Sequence, residues 1–224
     1  REIVGIVDWR VAECERLGVE LRFNAMAEAA DVEAEEPDVA IVATGGLPNT
    51  GFLREGEELV TTTWDILSGA VKPAEEVLLY DDNGGHQAMT CAEHLVAQGV
   101  ALELVTPERT VAPDVGGTNY PLYLRALAAA GARITLLDRL VAVRRQGNGL
   151  VAVLWNEYAR RESERPARQI VVEHGTLPLD ELYFALKPKS RNLGETDVEA
   201  LRFARPQVLE GNPEDRFRLF RIGD

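Results

Sequence analysis

The chain has 224 residues, 46% of them hydrophobic, with 19 glycines and 11 prolines. That composition excludes a disordered or collagenous protein and leaves room for one sizeable core or two small ones. A formal net charge of −13 argues against nucleic acid and anionic membrane as partners, and no apolar run is long enough to span a bilayer and no signal peptide is visible.

Residues 2–17 place Ile3, Val7, Val11, Cys14 and Leu17 at helical spacing and predict an amphipathic helix closed by Gly18. VELRFN at 19–24 alternates and predicts a strand, and MAEAADVEAEE predicts a short acidic helix or turn. VAIVA at 39–43 reads as a buried parallel strand running into Thr44-Gly45-Gly46. A connector over 47–70 follows, with one short Asp-led helical stretch. Then EVLLYDD (76–82) predicts a strand, 84–99 a helix carrying Ala88, Cys91, Ala92 and Leu95 on one side, and VALELVT (100–106) a second strand. Residues 107–119 form a loop, 120–131 a helix capped by Gly131, and 132–145 a strand or strand pair. A strand at 150–158, a polar turn at 159–168 and a strand at 169–175 suggest a hairpin or meander. Residues 177–192 have the shape of a returning strand and loop, ETDVEALRF of a short helix, and 217–224 of a final strand. Both ends cut through elements, so further residues are expected on each side.

The turn at 81–88, DDNGGHQA, follows a strand and opens a helix, the setting in which backbone N–H groups cradle a pyrophosphate. Against the pattern G-x-G-x-x-G/A, Asp82 stands first, Gly84 second and Gln87 third, so one glycine is in register, with Gly85 beside it. Asp81 and Asp82 place negative charge near a presumed phosphate, and Gln87 is bulky where helix and strand pack closely. The acidic residue expected to hold a ribose is missing, since that position offers Thr106, then Glu108 and Arg109. The turn therefore reads first as architecture and second as a nucleotide site, which makes NAD(P) an ill-matched cofactor. Thr44, Gly45 and Gly46 lie at the carboxyl end of a strand, where open α/β sheets bind ligands, and Asp224 ends another. A plain turn and a helix cap explain them equally well. No nucleophile–base arrangement is visible, so no catalytic residue is assigned. His86, His94 and His174 show no metal-ligand spacing. Cys14 and Cys91 read as reduced core thiols of a cytoplasmic protein. The segment KPKSR, with Lys187, Lys189 and Arg191, is the most basic patch. It is a solvated loop or a contact for phosphate or an acidic partner.

The order PDVAIVATGGLPN, VTTTWDILSG, EVLLYDDNGGHQAMTCAEHLVAQG and RLFRIGD resembles the carboxyl-terminal nucleotide-binding region of the trimethylamine dehydrogenase and 2,4-dienoyl-CoA reductase family. Those are NADH:flavin oxidoreductases related to old yellow enzyme. The resemblance covers essentially the whole chain. It implies an α/β, Rossmann-like three-layer fold in which an NAD(P)-type domain (72–187) is inserted in a truncated FAD-type domain (1–71 and 188–224). It implies that Thr44, Gly45 and the Gly223-Asp224 pair line an FAD site, or an ADP site in the amine-dehydrogenase branch. FMN and a four-iron cluster would belong to an amino-terminal barrel outside these residues, as would the first GxGxxG turn of the FAD-type domain. Implied partners are that barrel, an electron-transfer flavoprotein, and a second copy in a full-length homo-oligomer. The parent would be a flavin-dependent N-methylated amine dehydrogenase or demethylase, with these residues alone inactive. An NAD(P)H-dependent flavin reductase of the dienoyl-CoA reductase type is the alternative. A non-catalytic structural or docking domain is the third reading.

Overall fold

The computed structural model describes residues 4–223. In chain order the elements are α1 (Val4–Arg16), α2 (Ala29–Ala34), β1 (Val39–Val42), β2 (Gly46–Pro48), β3 (Thr61–Thr62), α3 (Thr63–Ser68), β4 (Glu76–Asp81), α4 (His86–Ala97), β5 (Ala101–Thr106), α5 (Tyr120–Ala129), β6 (Arg133–Leu136), β7 (Asp138–Gln146), β8 (Gly149–Asn156), β9 (Arg161–Ala167), β10 (Gln169–Glu173), β11 (Thr176–Pro178), α6 (Glu181–Leu186), α7 (Val198–Arg202) and β12 (Arg218–Arg221). They form two compact units. One comprises residues up to Gly45 together with those from Leu179 onward, and the other is Gly46–Pro178.

Gly46–Pro178 is built on a five-stranded sheet in the order β3-β10-β4-β5-β6, every pair parallel. Its strands read as near-continuous apolar runs because both faces are covered. Alternation along each strand divides the side chains between two cores. Val77, Leu79, Leu102, Leu104 and Val171 pack with Met89, Cys91 and Leu95 of α4 and Leu127 of α5. Leu78, Tyr80, Val105, Ile170 and Val172 pack with Leu140, Val143, Ala152 and Leu154. The latter come from β7 and β8 of an antiparallel meander, β7-β8-β9. The layers are therefore helices, parallel sheet and meander, and the expected Rossmann-like α/β fold is the one observed.

In the other unit β1 pairs in parallel with β12. Ala40, Val42, Phe217 and Leu219 pack with Tyr183 and Leu186 of α6. Helix α1 ends where Gly18 takes a φ of +72° and the Val19 amide donates to the Cys14 carbonyl at 2.9 Å, as its sequence predicts. None of its residues is buried, and Ile3 lies outside the described residues.

Four local expectations are corrected. Residues 19–24 form no strand: Arg22 instead pairs with Glu20 and Glu35, each at 2.6 Å, and alternation without a partner strand stabilises nothing. The VAIVA run is only half buried, since Val39 and Ile41 are exposed on the face opposite α6. The supposed polar turn at 159–168 contains strand β9, whose charged residues and Pro166 suit an edge position. Residues 177–192 contain helix α6, which buries Tyr183 and Leu186, a spacing too short to stand out from its proline-rich flanks.

Candidate functional site

Strand β4 delivers its last residue, Asp81, to the carboxyl edge of the parallel sheet, and β10 delivers Glu173 beside it in register. Ligands in open α/β sheets bind outside this edge. Both carboxyl groups are buried, Asp81 at 1% exposure and Glu173 at 5%. Asp81 Oδ1 accepts from the amides of Asn83 at 3.1 Å and Gly84 at 3.0 Å, while Oδ2 has no hydrogen-bond partner among the described residues. Burial pushes the Asp81 carboxyl up to about 6, against the two amides, with Glu173 and Asp82 adding to the rise. Glu173 is fully engaged: it accepts from the Thr63 hydroxyl at 2.5 Å, the Asn83 side-chain amide at 3.2 Å and the Gly175 amide at 3.1 Å. Beneath this pair, burial and the Glu173 carboxylate push the Cys91 thiol up to about 12, so it stays protonated. Cys14 and Cys91 are both free thiols.

Asp82 turns away from α4 toward the meander. Its Oδ1 meets His174 Nδ1 at 2.6 Å, and its Oδ2 accepts from the buried Tyr80 hydroxyl at 3.0 Å and lies 3.6 Å from the Arg139 guanidinium. Phe52 stacks on this group, its ring 4.1 Å from His174 and 5.6 Å from Tyr80. Burial and the Asp82 carboxylate drive the Tyr80 phenol far above its ordinary range.

The turn itself is tightly occupied. Gly84 has a φ of +73°, which favours glycine, and a Cβ there would lie 3.0 Å from the Pro113 ring. The Asp114 amide donates to the Gly84 carbonyl at 3.1 Å. A Cβ on Gly85 would fall 2.5 Å from Gln87 Oε1, so the Gln87 carboxamide lies over the start of α4. His86 Nδ1 sits 3.2 Å from the Tyr123 hydroxyl. At the end of β5 the Thr106 hydroxyl is bonded by the Glu108 amide at 3.3 Å. His94 is exposed and meets Gln98 at 2.7 Å.

The sequence-derived candidates thus fall in three places. Asp82, Gly84 and Gly85 share the β4–α4 turn. Thr44 and Gly45 follow β1 in the other unit, where the Thr44 hydroxyl donates to the Leu179 carbonyl and the Leu179 amide donates to the Gly45 carbonyl at 2.9 Å. A cleft of about 440 Å³ runs beside them, lined by Val32, Pro37, Ile41, Thr44 and Leu182. Gly46 belongs to β2, and a Cβ there would meet the Leu177 carbonyl oxygen at 2.6 Å, so strand pairing alone requires the glycine. Asp224 lies outside the described residues. The KPKSR cations are all engaged: Lys187 with Glu195 at 3.6 Å, Lys189 with Glu33 at 2.5 Å and Arg191 with Glu210 at 3.2 Å.

No protein-family model matches the chain. All 224 residues align at 48% identity with a protein named "Probable N-methylproline demethylase" from Rhizobium meliloti, of which they cover 33%. They align at 40% with "N,N-dimethylglycine/sarcosine dehydrogenase" from Chromohalobacter salexigens, covering 34%, and at 35% with "Multifunctional alkene reductase/demethylase OYE" from Caballeronia cordobensis, covering 33%. These matches bear out the resemblance to the trimethylamine dehydrogenase and 2,4-dienoyl-CoA reductase family along the whole of this chain. The chain spans about a third of the length of the curated relatives it matches. Among solved structures the fold is shared with 6-hydroxypseudooxynicotine amine oxidase of Pseudomonas geniculata N1, at a TM-score of 0.71 and 24% identity over 98% of this chain and 31% of that one. It is shared with 2-naphthoyl-CoA reductase at a TM-score of 0.70 and 23% identity, over 95% of this chain and 28% of that one.

At the carboxyl edge of the sheet, sequence reasoning missed the group Phe52, Tyr80, Arg139 and His174 around Asp82, and the role of Glu173. One signal was available. His174 directly follows the apolar run QIVVE, which places it at a strand's carboxyl end. Arg139 and Phe52 carried no such mark, because they reach the site from the meander and from a loop.

Proposed function

We propose that this chain is the nucleotide-binding-type region of a flavin-dependent oxidoreductase whose full-length form oxidises an N-methylated amine, as a dehydrogenase or demethylase. The observation that carries this reading is identity of 48% and 40%, over all of this chain and about a third of each relative, to proteins named for N-methylproline and for dimethylglycine and sarcosine. The β4–α4 turn supports it from the other side. Asp81 holds the Asn83 and Gly84 amides, Gln87 overlies Gly85 and Pro113 closes on Gly84, so the residues present do not fit an NAD(P) diphosphate, and no hydride from that cofactor is invoked.

In the unit containing Thr44 and Gly45, the residues fit the rim of an FAD or ADP site. Gly45 has a φ of +66° with no atom within 4 Å of a would-be Cβ, and the neighbouring cleft is apolar except for Thr44 and Glu35. Thr44 and Gly45 are the residues that would face the ligand. A flavin bound in the full-length protein would accept the two electrons of amine oxidation. What this chain contributes is a shaped rim, with Thr44 held by Leu179.

The second reading, an NAD(P)H-dependent reductase of unsaturated carbonyl or enoyl substrates, is favoured by the relative whose name joins alkene reductase to demethylase. Anaerobic titration of the full-length protein separates the two. Bleaching of the flavin by N-methylproline, dimethylglycine or sarcosine, with NADH and NADPH inert, is the expected result. Rapid bleaching by either nucleotide would favour the reductase and sink the first reading.

A further inference from the structure

The geometry points to a self-filled anion site: the β4–α4 turn is shaped to hold the diphosphate of a nicotinamide dinucleotide, and the side chains of Asp81 and Gln87 occupy it in the ligand's place. This rests on the proposed reading of the turn as closed to NAD(P), and deepens it by placing the Asp81 carboxylate where a phosphate would accept the same amides.

Three observations carry the inference. The backbone keeps the geometry that a phosphate cradle needs. A parallel strand ends, Gly84 takes a left-handed conformation, and Gly85 leads into a twelve-residue helix with no side-chain cap on its first amides. Successive N–H groups in such a turn converge on an anion. An anion is indeed there, since Asp81 Oδ1 takes both the Asn83 and Gly84 amides. Its second oxygen is buried without a partner among the described residues, an arrangement that a strand-end carboxyl adopts at a cost. Finally, Gln87 folds its carboxamide back over Gly85, covering the helix start that a second phosphate would reach. A strand-end residue without a side chain would leave those amides free, and a smaller residue at 87 would uncover the helix.

Occupancy and charge make different predictions. Asn at position 81 removes the negative charge but keeps an oxygen where Oδ1 lies, so the amides stay taken. Gly removes both. Calorimetry with NADH and NADPH on the intact protein should therefore show no binding by the native protein or by Asp81→Asn/Gln87→Ala, and a gain of at least about tenfold in affinity for Asp81→Gly/Gln87→Ala, from freed charge-assisted hydrogen bonds to phosphate. Thermal melting shows which variants are folded. Equal gains in the Asn and Gly double variants would overturn the proposal in favour of simple repulsion. A folded Gly double variant that binds no better than the native protein would overturn it too. If the Gly variant does not fold, hydrogen exchange across 81–88 in the native protein carries the test. A large excess of NADH should leave that segment unchanged, and protection there would overturn the proposal. Failure in the variants alone leaves the amine-oxidising reading intact, because that reading is decided by flavin bleaching in the native protein.

Discussion

Asp81 binds its proton more tightly in the folded chain than in the unfolded one, because burial raises it from 3.8 to about 6. A raised carboxyl pKa contributes stability that is fully present below the unfolded value and is lost as pH climbs through the folded value. The two-unit difference corresponds to about 3 kcal/mol. Asp81→Asn keeps an acceptor for the Asn83 and Gly84 amides and does not titrate. Urea denaturation should therefore show the native protein losing about 2.5 kcal/mol relative to Asp81→Asn between pH 4 and pH 7.5, whereas parallel pH profiles would contradict the buried-acid description. Its neighbour acts through partners. Asp82 is bonded by the Tyr80 hydroxyl and His174, so Asp82→Ala should cost about 2 kcal/mol by leaving a buried phenol short of an acceptor. The same change made with Tyr80→Phe should cost clearly less than the sum of the two alone, a coupling that a double-mutant cycle in urea reads directly.

At the scale of elements, glycines with similar backbone angles sit in opposite surroundings. Gly56 has a φ of +84°, and a Cβ there would fall 2.0 Å from the Val143 carbonyl oxygen, where the 54–56 segment runs along β7 through Arg54 and Val143 amide bonds. Gly56→Ala should destabilise by about 3 kcal/mol or more, from conformation and clash together. Gly45→Ala, in open space, should cost only about 1–2 kcal/mol from conformation. Thermal melts of the two variants test the contrast. The same elements show what the sequence discloses. The unit β4–turn–α4–β5 was legible because VLLYD and ALELVT are buried on both faces and the helix carries its apolar side chains at the right spacing. Strand β9 was not, since an edge strand of charged residues with Pro166 has the composition of a turn. Nor was α6, whose six residues offer less than two turns of periodicity. The glycine turn was legible as architecture, and its departures from the fingerprint were visible residue by residue. That Asp81 would fold back onto its own amides could not be read, because it depends on a rotamer. The Asp82–His174–Arg139 group stayed hidden for another reason. Its members are far apart in sequence and meet only once β4, β7 and the end of β10 are packed.

For the whole molecule, Gly46–Pro178 holds both apolar cores that flank the parallel sheet. The other unit leaves Trp9, Phe23, Met26 and Ile41 exposed. Residues 46–178 expressed alone should therefore unfold cooperatively with an ordinary urea midpoint, followed by circular dichroism, and a broad non-cooperative transition would count against an independent core. No helix among the described residues is long and apolar enough to cross a membrane. The place where the chain enters and leaves this unit has a mechanical consequence. Gly46 and Pro178 are partners in the antiparallel β2–β11 ladder, so their Cα atoms are about 5 Å apart. Tension applied along the polypeptide would load that ladder at its open end, rung by rung, as a zipper is loaded. Within this unit the first event under force would be the peeling of three residue pairs, ahead of the parallel sheet.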